Sequence, residues 1–233
     1  MASTSESRSE FLSRDAPQPL LNAAIVWCKE LVDIENAIIA GGFVRAFYAG
    51  ETPKDMDLYF RSSTDAEDAT DILEQAGWEK VFASTTAATY KKDDKLVQVV
   101  TYLAGEPEEI IEKFDFTVCA ACLTLNFDDQ TETTQEIADA LTEMRVTGKV
   151  LHHKAFFEHL AGRVLVFIGS ELPLSSLKRM VKYIKRGYNI CDENIIAISQ
   201  AISHTVDFED ASSLERHTLG MDPDGNRRIR VID

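Results

Sequence analysis

The sequence predicts an α/β (α+β) fold: a mixed sheet flanked by helices, followed by a mainly helical C-terminal part. Three features carry that prediction. Short apolar runs at Ile38 to Ala40 and Phe116 to Leu125 read as buried strands. Segments of helical periodicity alternate with strand patterns from Leu20 to Phe114, which favours helices packed on a sheet. From Ser176 to Arg186, Leu177, Met180, Val181, Ile184 and then Tyr188 fall at helical spacing on one side. Lys178, Arg179, Lys182, Lys185 and Arg186 fall on the other.

Taken in order, residues 1–19 read as a solvated tail, Ser- and Glu-rich at first and closed by the breaker Pro17-x-Pro19. Leu20 to Val32 reads as a helix, apolar at Leu21, Ala24, Ile25, Cys28, Leu31 and Val32. After the strand at Ile38, Gly41-Gly42 turns the chain into a helix carrying Val44, Phe47 and Tyr48, which Gly50 closes. Thr64 with Glu67 forms a capping box for a helix through Gln75 that Gly77 ends. Strands are expected at Lys80 to Ser84, Thr86 to Lys91 and Leu96 to Leu103, then a short helix from Pro107 to Phe114. The acidic, Thr-rich stretch 128–134 is the expected boundary between a catalytic domain over 20–128 and a mainly helical nucleotide- or acceptor-binding domain over 135–233. His152, His153 and His159 have no acid or cysteine at ligand spacing and read as packing or surface residues. Asp222 to Gly225 is a turn, and 227–230 a basic strand or tail.

The chemistry concentrates in Gly41-Gly42 and the later Lys54-Asp55-Met56-Asp57-Leu58. Residues two apart on a strand share a face, so Asp55 and Asp57 can reach the same cations while Met56 points away. Mg²⁺ takes carboxylate and phosphate oxygens together, which explains acids rather than His or Cys. The double glycine lets the backbone turn into a helix whose free N–H groups face an anion. Together the two stretches describe a site for a metal-bound triphosphate.

The order of double glycine, D-x-D and a lone downstream acid resembles the nucleotidyltransferases of the DNA polymerase β superfamily. It is closest to the head domain of bacterial CCA-adding enzymes and poly(A) polymerases. Gly41, Gly42, Val44, Arg45, Gly50, Lys54, Asp55, Asp57 and Leu58 match the first family motif, GG-x-VRD-x-LLG with K-D-x-D-L beyond it. Phe114-Asp115-Phe116-Thr117-Val118-Cys119-Ala120 matches the second, RRDFTINA. The resemblance covers about 36–124 and returns at 173–190. There Pro173, Arg179, Lys182, Tyr183, Gly187, Tyr188 and Ile190 fit the arm that reads the incoming base.

The resemblance implies a nucleotidyltransferase-fold mixed sheet with Mg²⁺ (or Mn²⁺) held by the catalytic acids Asp55, Asp57 and Asp115. It implies an NTP (ATP or CTP) bound through Gly41, Gly42, Arg45, Lys54, Arg179 and Lys182, and transfer of its NMP to a hydroxyl. The acceptor it favours is an RNA (tRNA-like) 3′ end. Transfer of AMP to a protein or small molecule is a second enzymatic reading. A catalytically retired nucleotide-binding protein is the rival from another class, because Ala46 stands where the first motif has Asp and Lys113-Phe114 replaces an Arg-Arg pair. A similar F-D-F-T motif occurs in short nucleotidyltransferase-like proteins of phages, which implies a phage origin.

Charge narrows the partners. Residues 1–150 hold 13 basic and 28 acidic side chains and 151–233 hold 11 of each, so the formal charge of −15 belongs to the front part. Such a surface repels a long phosphate backbone and leaves a short RNA end, met through Mg²⁺, as the nucleic-acid option. No segment approaches the roughly 20 apolar residues that span a bilayer, and the N-terminus lacks the order of a signal peptide, so a cytoplasmic protein without a membrane partner is expected. Cys28, Cys119, Cys122 and Cys191 are then reduced thiols, and Cys119-x-x-Cys122, inside an apolar run with no second pair, reads as buried strand rather than zinc site.

Overall fold

A computed structural model describes residues 10–84, 86–127 and 146–214. In chain order these form β1 (Phe11–Asp15), α1 (Gln18–Trp27), a 3₁₀ turn (Lys29–Val32), β2 (Ile38–Ala40), α2 (Gly42–Ala49), β3 (Met56–Phe60) and α3 (Ser63–Gln75). Next come β4 (Glu79–Ala83), β5 (Ala87–Lys92), β6 (Lys95–Ala104), α4 (Pro107–Ile111), β7 (Ala121–Phe127) and β8 (Val146–His153). The last part is α5 (Phe156–Gly162), β9 (Val164–Leu165), α6 (Pro173–Ile184), β10 (Asn189–Ile190) and α7 (Asp192–Thr205).

Eight strands make one mixed sheet in the order β1-β8-β7-β2-β3-β6-β5-β4, and β9 pairs with β10 in parallel. In the large sheet β3·β6 is parallel and the other pairings are antiparallel. Central β3 alternates as the pleat requires. Met56, Leu58 and Phe60 join Phe43 and Val44 of α2 and Ala66, Ala69 and Leu73 of α3 in the main core. On the opposite face, Tyr59 packs with Ile38, Ala40 and the α4 residues Ile110 and Ile111. Asp57 alternates onto the face of Tyr59 and acts on its hydroxyl, so α4, which packs on Tyr59, lies on the side of the sheet that carries Asp57. Among the described residues no helix is long and apolar enough to cross a membrane.

The sheet reaches beyond both ends of the expected catalytic domain. Leu12 pairs with His152 and Arg14 with Val150, placing β1 inside the expected tail and β8 inside the expected helical domain. Pairings of such sequence separation leave no local pattern, and edge strand β1 is exposed at four of its five residues. The expected boundary at 128–134 and the turn and basic tail at 222–230 lie outside the described residues. The expected helix 20–32 divides at Cys28, whose extended backbone (φ −139°, ψ 99°) leads into the 3₁₀ turn. That turn buries Glu30, whose carboxylate meets Lys92 Nζ at 3.0 Å.

The cap of α3 is Ser62, not Thr64. The Asp65 N–H donates to Ser62 Oγ and the Ser62 N–H to Asp65 Oδ2, both at 3.2 Å, a capping box two residues earlier than expected. The predicted strand 116–125 begins only at Ala121, because 116–120 turns back on itself with the Ala120 N–H donating to the Phe116 carbonyl. The apolar face read for α6 also shifts: Pro173, Ser176, Met180 and Tyr183 are buried, while Val181 and Ile184 are each 44% exposed. Tyr183 draws the helix inward by packing on Phe116 and Tyr188 at ring separations of 6.3 and 5.2 Å.

The two sequence motifs are locked together by one contact. Gly41 has φ +69° and ψ −116°, a conformation reserved for glycine, and a Cβ there would lie 2.7 Å from Phe114 Cε1. Phe114 also packs on Tyr59, with ring centroids 6.0 Å apart. Gly41→Ala should therefore destabilise by about 2 kcal/mol through backbone strain and the displaced ring. A Cβ on Gly42 has no neighbour closer than 3.8 Å, so Gly42→Ala should stay within about 0.5 kcal/mol of the parent. Urea denaturation of both variants checks the difference; equal losses would mean that the Phe114 contact does not constrain this turn.

Candidate active site

Asp55 and Asp57 stand where β3 begins, one exposed and one half-buried, with Asp57 paired in register with Ala40 of β2 and Gln98 of β6. Gly42 opens α2 beside them: the Cβ it lacks would stand 3.8 Å from Asp55 Oδ1, so this carboxylate reaches the amino-terminal turn of that helix. Burial, and then repulsion from Asp55, push the Asp57 carboxyl up to about 7, against the opposing pull of Arg179 and Lys182 on α6. Tyr59 is buried on the same face and its hydroxyl is held well above its ordinary range, first by burial and then by Asp57.

Asp115 arrives from the loop after α4. It is 2% exposed, and its Oδ2 lies 2.5 Å from Arg179 Nη1, while Oδ1 is buried with no hydrogen-bond partner among the described residues. The loop is fastened on several sides. Its Asp115 carbonyl accepts from the Ile168 N–H (2.9 Å), and the Thr117 N–H donates to the Val166 carbonyl (3.1 Å). Thr117 Oγ1 and His159 Nδ1 lie 2.8 Å apart, as do Cys119 Sγ and the Tyr183 hydroxyl. Burial, reinforced by Asp115, pushes the Cys119 thiol up to about 11, so it is a neutral packing group. Cys119 and Cys122 are both free and buried.

The other sequence-predicted residues separate into two groups. Lys54 is exposed next to Asp55, and Lys182 is exposed with its charge felt at Asp57. Arg45 is 3% exposed; it pairs with Glu51 at 2.9 Å and lies over the Tyr183 ring at 5.4 Å, tying α2 to α6. Ala46, where the family motif has Asp, is packed in the core at 1% exposure. The sequence-predicted set leaves out Tyr59, although its even spacing from Asp55 and Asp57 marks the same face, and Glu51, which has no local signature; His159, read as a packing or surface residue, packs on Thr117.

Asp55 and Asp57 fit a divalent cation, because two carboxylates that repel each other, one with its proton retained near neutrality, are relieved by added positive charge. Among the described residues no group of three His, Cys, Asp or Glu side chains is arranged to hold a metal, and Asp115 has Arg179 as its counter-ion. A cavity of about 400 Å³, lined by Tyr48, Glu51, Phe157, Arg163 and Tyr188, lies off the carboxyl end of α2 and includes none of the acids.

The Asp57 carboxyl holds its proton more tightly in the folded chain, to about 7, than the unfolded chain does near 3.8. Between those values the folded state binds more protons, so stability falls as pH rises through this window and levels off above it. Raising the pH from 5 to 8 in the absence of divalent cations should lower the melting temperature by about 5 °C, and Asp57→Asn should remove most of that slope. Parallel melting curves for the two proteins across this range would show that Asp57 is ionised throughout.

Comparison with known proteins places the fold. Over solved structures, the chain superposes on the Thermotoga maritima CCA-adding enzyme complexed with tRNA at a TM-score of 0.56 and 16% identity, over 89% of this chain and 48% of that one. For the Bacillus stearothermophilus CCA-adding enzyme in complex with CTP the values are 0.50, 17%, 81% and 44%. For a CCA-adding enzyme with ATP they are 0.54, 15%, 90% and 49%. The fold is thus that of the nucleotidyltransferase heads of CCA-adding enzymes. Among curated proteins, "Gabija anti-defense 2" of Bacillus phage SPbetaL7 is 32% identical over 178 residues, which are 73% of this chain and 39% of that protein. The chain therefore spans about two-fifths of that relative's length and about half of the solved enzymes. A family model described as Gabija anti-defense 2 family protein matches residues 15–163, and the chain belongs to that family.

Proposed function

We propose that this chain binds a nucleoside triphosphate with Mg²⁺ or Mn²⁺ and transfers its nucleoside monophosphate to a hydroxyl, releasing pyrophosphate. One observation carries the reading: Asp55 lies beside the Gly42 opening of α2 and close enough to Asp57 to raise its pKa, and the charges of Arg179 and Lys182 on α6 act on Asp57. Asp55 and Asp57 would hold the cation, which when bound lowers the pKa of the attacking hydroxyl and neutralises charge on the departing pyrophosphate. The chain's own groups do the positioning. The N–H groups at the start of α2 offer donors to the phosphates, and Arg179 and Lys182 supply countercharge to them. Phe114, seated on Gly41, fixes the distance between the double glycine and the Asp115 loop.

The acceptor we propose is an RNA 3′ end, supported by the likeness to enzymes solved with tRNA, CTP and ATP. The family name assigns an anti-defense role to the phage relative, and nucleotide transfer onto an RNA would be the means by which a protein with this site exerts it. A second reading, nucleotide binding without transfer, is favoured by the Arg179–Asp115 pair, which withdraws the third acid from the other two.

Incubation with Mg²⁺, each labelled NTP and total RNA from the host tests both. Label should enter RNA from one or two NTPs, and Asp57→Ala should reduce turnover about a thousandfold while leaving the protein folded. Turnover of Asp57→Ala within about threefold of the parent would remove the metal from this pair. A melting temperature raised by Mg²⁺ and NTP without any label transfer would select the second reading.

A further inference from the structure

Arg179 and Asp115 are 64 residues apart in sequence and meet at 2.5 Å. Asp115 is 2% exposed, whereas the Arg179 side chain is 44% exposed, so the acid is fixed and the cation has room to leave. The anchoring around them points the same way. Lys113 pairs with Glu171 at 2.8 Å, the Ile168 N–H donates to the Asp115 carbonyl, and Phe116 packs on Phe167 at 5.9 Å, so the loop carrying the acid is held to the segment leading into α6. The second carboxylate oxygen, Oδ1, has no hydrogen-bond partner among the described residues although it is buried. A buried carboxylate that gives up its cation must take another in its place or bind a proton. Arg179 also acts electrostatically on Asp57, so its charge is felt at both acids.

We infer that Arg179 is a resident counter-cation that masks Asp115, leaving it only when the phosphates of an incoming nucleotide draw the guanidinium away and a divalent cation takes its place beside Asp115. The exchange keeps every charge partnered. Asp115 passes from guanidinium to metal, and the guanidinium passes from carboxylate to phosphate, a partner it binds through the same fork of donors. The site would thus hold metal weakly by itself and metal with nucleotide strongly, each strengthening the other. The inference rests on the proposed metal role of Asp55 and Asp57 and goes beyond it by assigning the state of the third acid.

Mn²⁺ binding read by electron paramagnetic resonance, with and without a non-hydrolysable NTP, tests it apart from activity. Without nucleotide, Arg179→Gln should bind Mn²⁺ about tenfold more tightly than the parent, because the Asp115 carboxylate is left without its cation and open to the metal. The gain should vanish in the Arg179→Gln, Asp115→Asn double variant. Asp115→Asn alone should leave nucleotide-free Mn²⁺ affinity unchanged and weaken the nucleotide-bound state, a prediction that stands even if Arg179→Gln does not fold. Equal or weaker Mn²⁺ binding by folded Arg179→Gln would overturn the inference, as would loss of nucleotide-free binding in Asp115→Asn. Asp57→Asn separates the two levels. If it binds Mn²⁺ as the parent does, the proposed metal pair fails; if it abolishes binding while Arg179→Gln changes nothing, only the counter-cation fails.

Discussion

Negative charge held inside a sheet is the constraint around which this molecule is arranged. Asp57 sits half-buried on the central strand β3, and Asp55 beside it raises its pKa further. The compensation comes from α6, whose Arg179 and Lys182 both act on Asp57. The helix that supplies them is held by uncharged contacts: Tyr183 stacks with Phe116 and Tyr188 and meets Cys119 at 2.8 Å. The aromatic packing of α6 therefore fixes where the positive charge stands, and the acids on β3 explain why it is needed there.

Two features common in phosphate-handling sites appear here in linked form. The helix opening at Gly42 supplies backbone donors, and the Phe114–Gly41 contact ties that opening to the loop carrying Asp115. A displacement of either motif is felt by the other, since Gly41 has no freedom to move under the ring. Arg45, although it follows the double glycine, is committed to Glu51 and Tyr183 and acts as a brace between α2 and α6. The family motif's Arg thus contributes rigidity in this chain, and the exposed cations of α6 face the acids.

What could be read in the sequence was what depends on short range. The D-x-D spacing fixed the common face of Asp55 and Asp57, Gly50 closed α2 in the left-handed conformation expected of it (φ +67°), and β4, β5 and β6 fell within a residue of their expected bounds. The failures are long-range in origin. Edge strand β1 owes its existence to β8, more than 130 residues away, and looks polar by itself. The buried face of α6 was misjudged because hydrophobicity favoured Val181 and Ile184, whereas packing chose the smaller Ser176 and the ring of Tyr183. The pairing of Asp115 with Arg179 had no signature in either local stretch; a composition-level clue existed only in the basic helix of an acidic protein.

The central claim is that Asp55 and Asp57 hold a divalent cation at the start of α2. A crystal structure of the protein with Mn²⁺ and a non-hydrolysable NTP analogue, with the metal located by its anomalous scattering, tests it most directly. The account predicts a Mn²⁺ peak ligated by carboxylate oxygens of Asp55 and Asp57, with the analogue's phosphates lying against the Gly42 end of α2. Nucleotide bound with the metal remote from both acids, or a metal ligated without either of them, would contradict it.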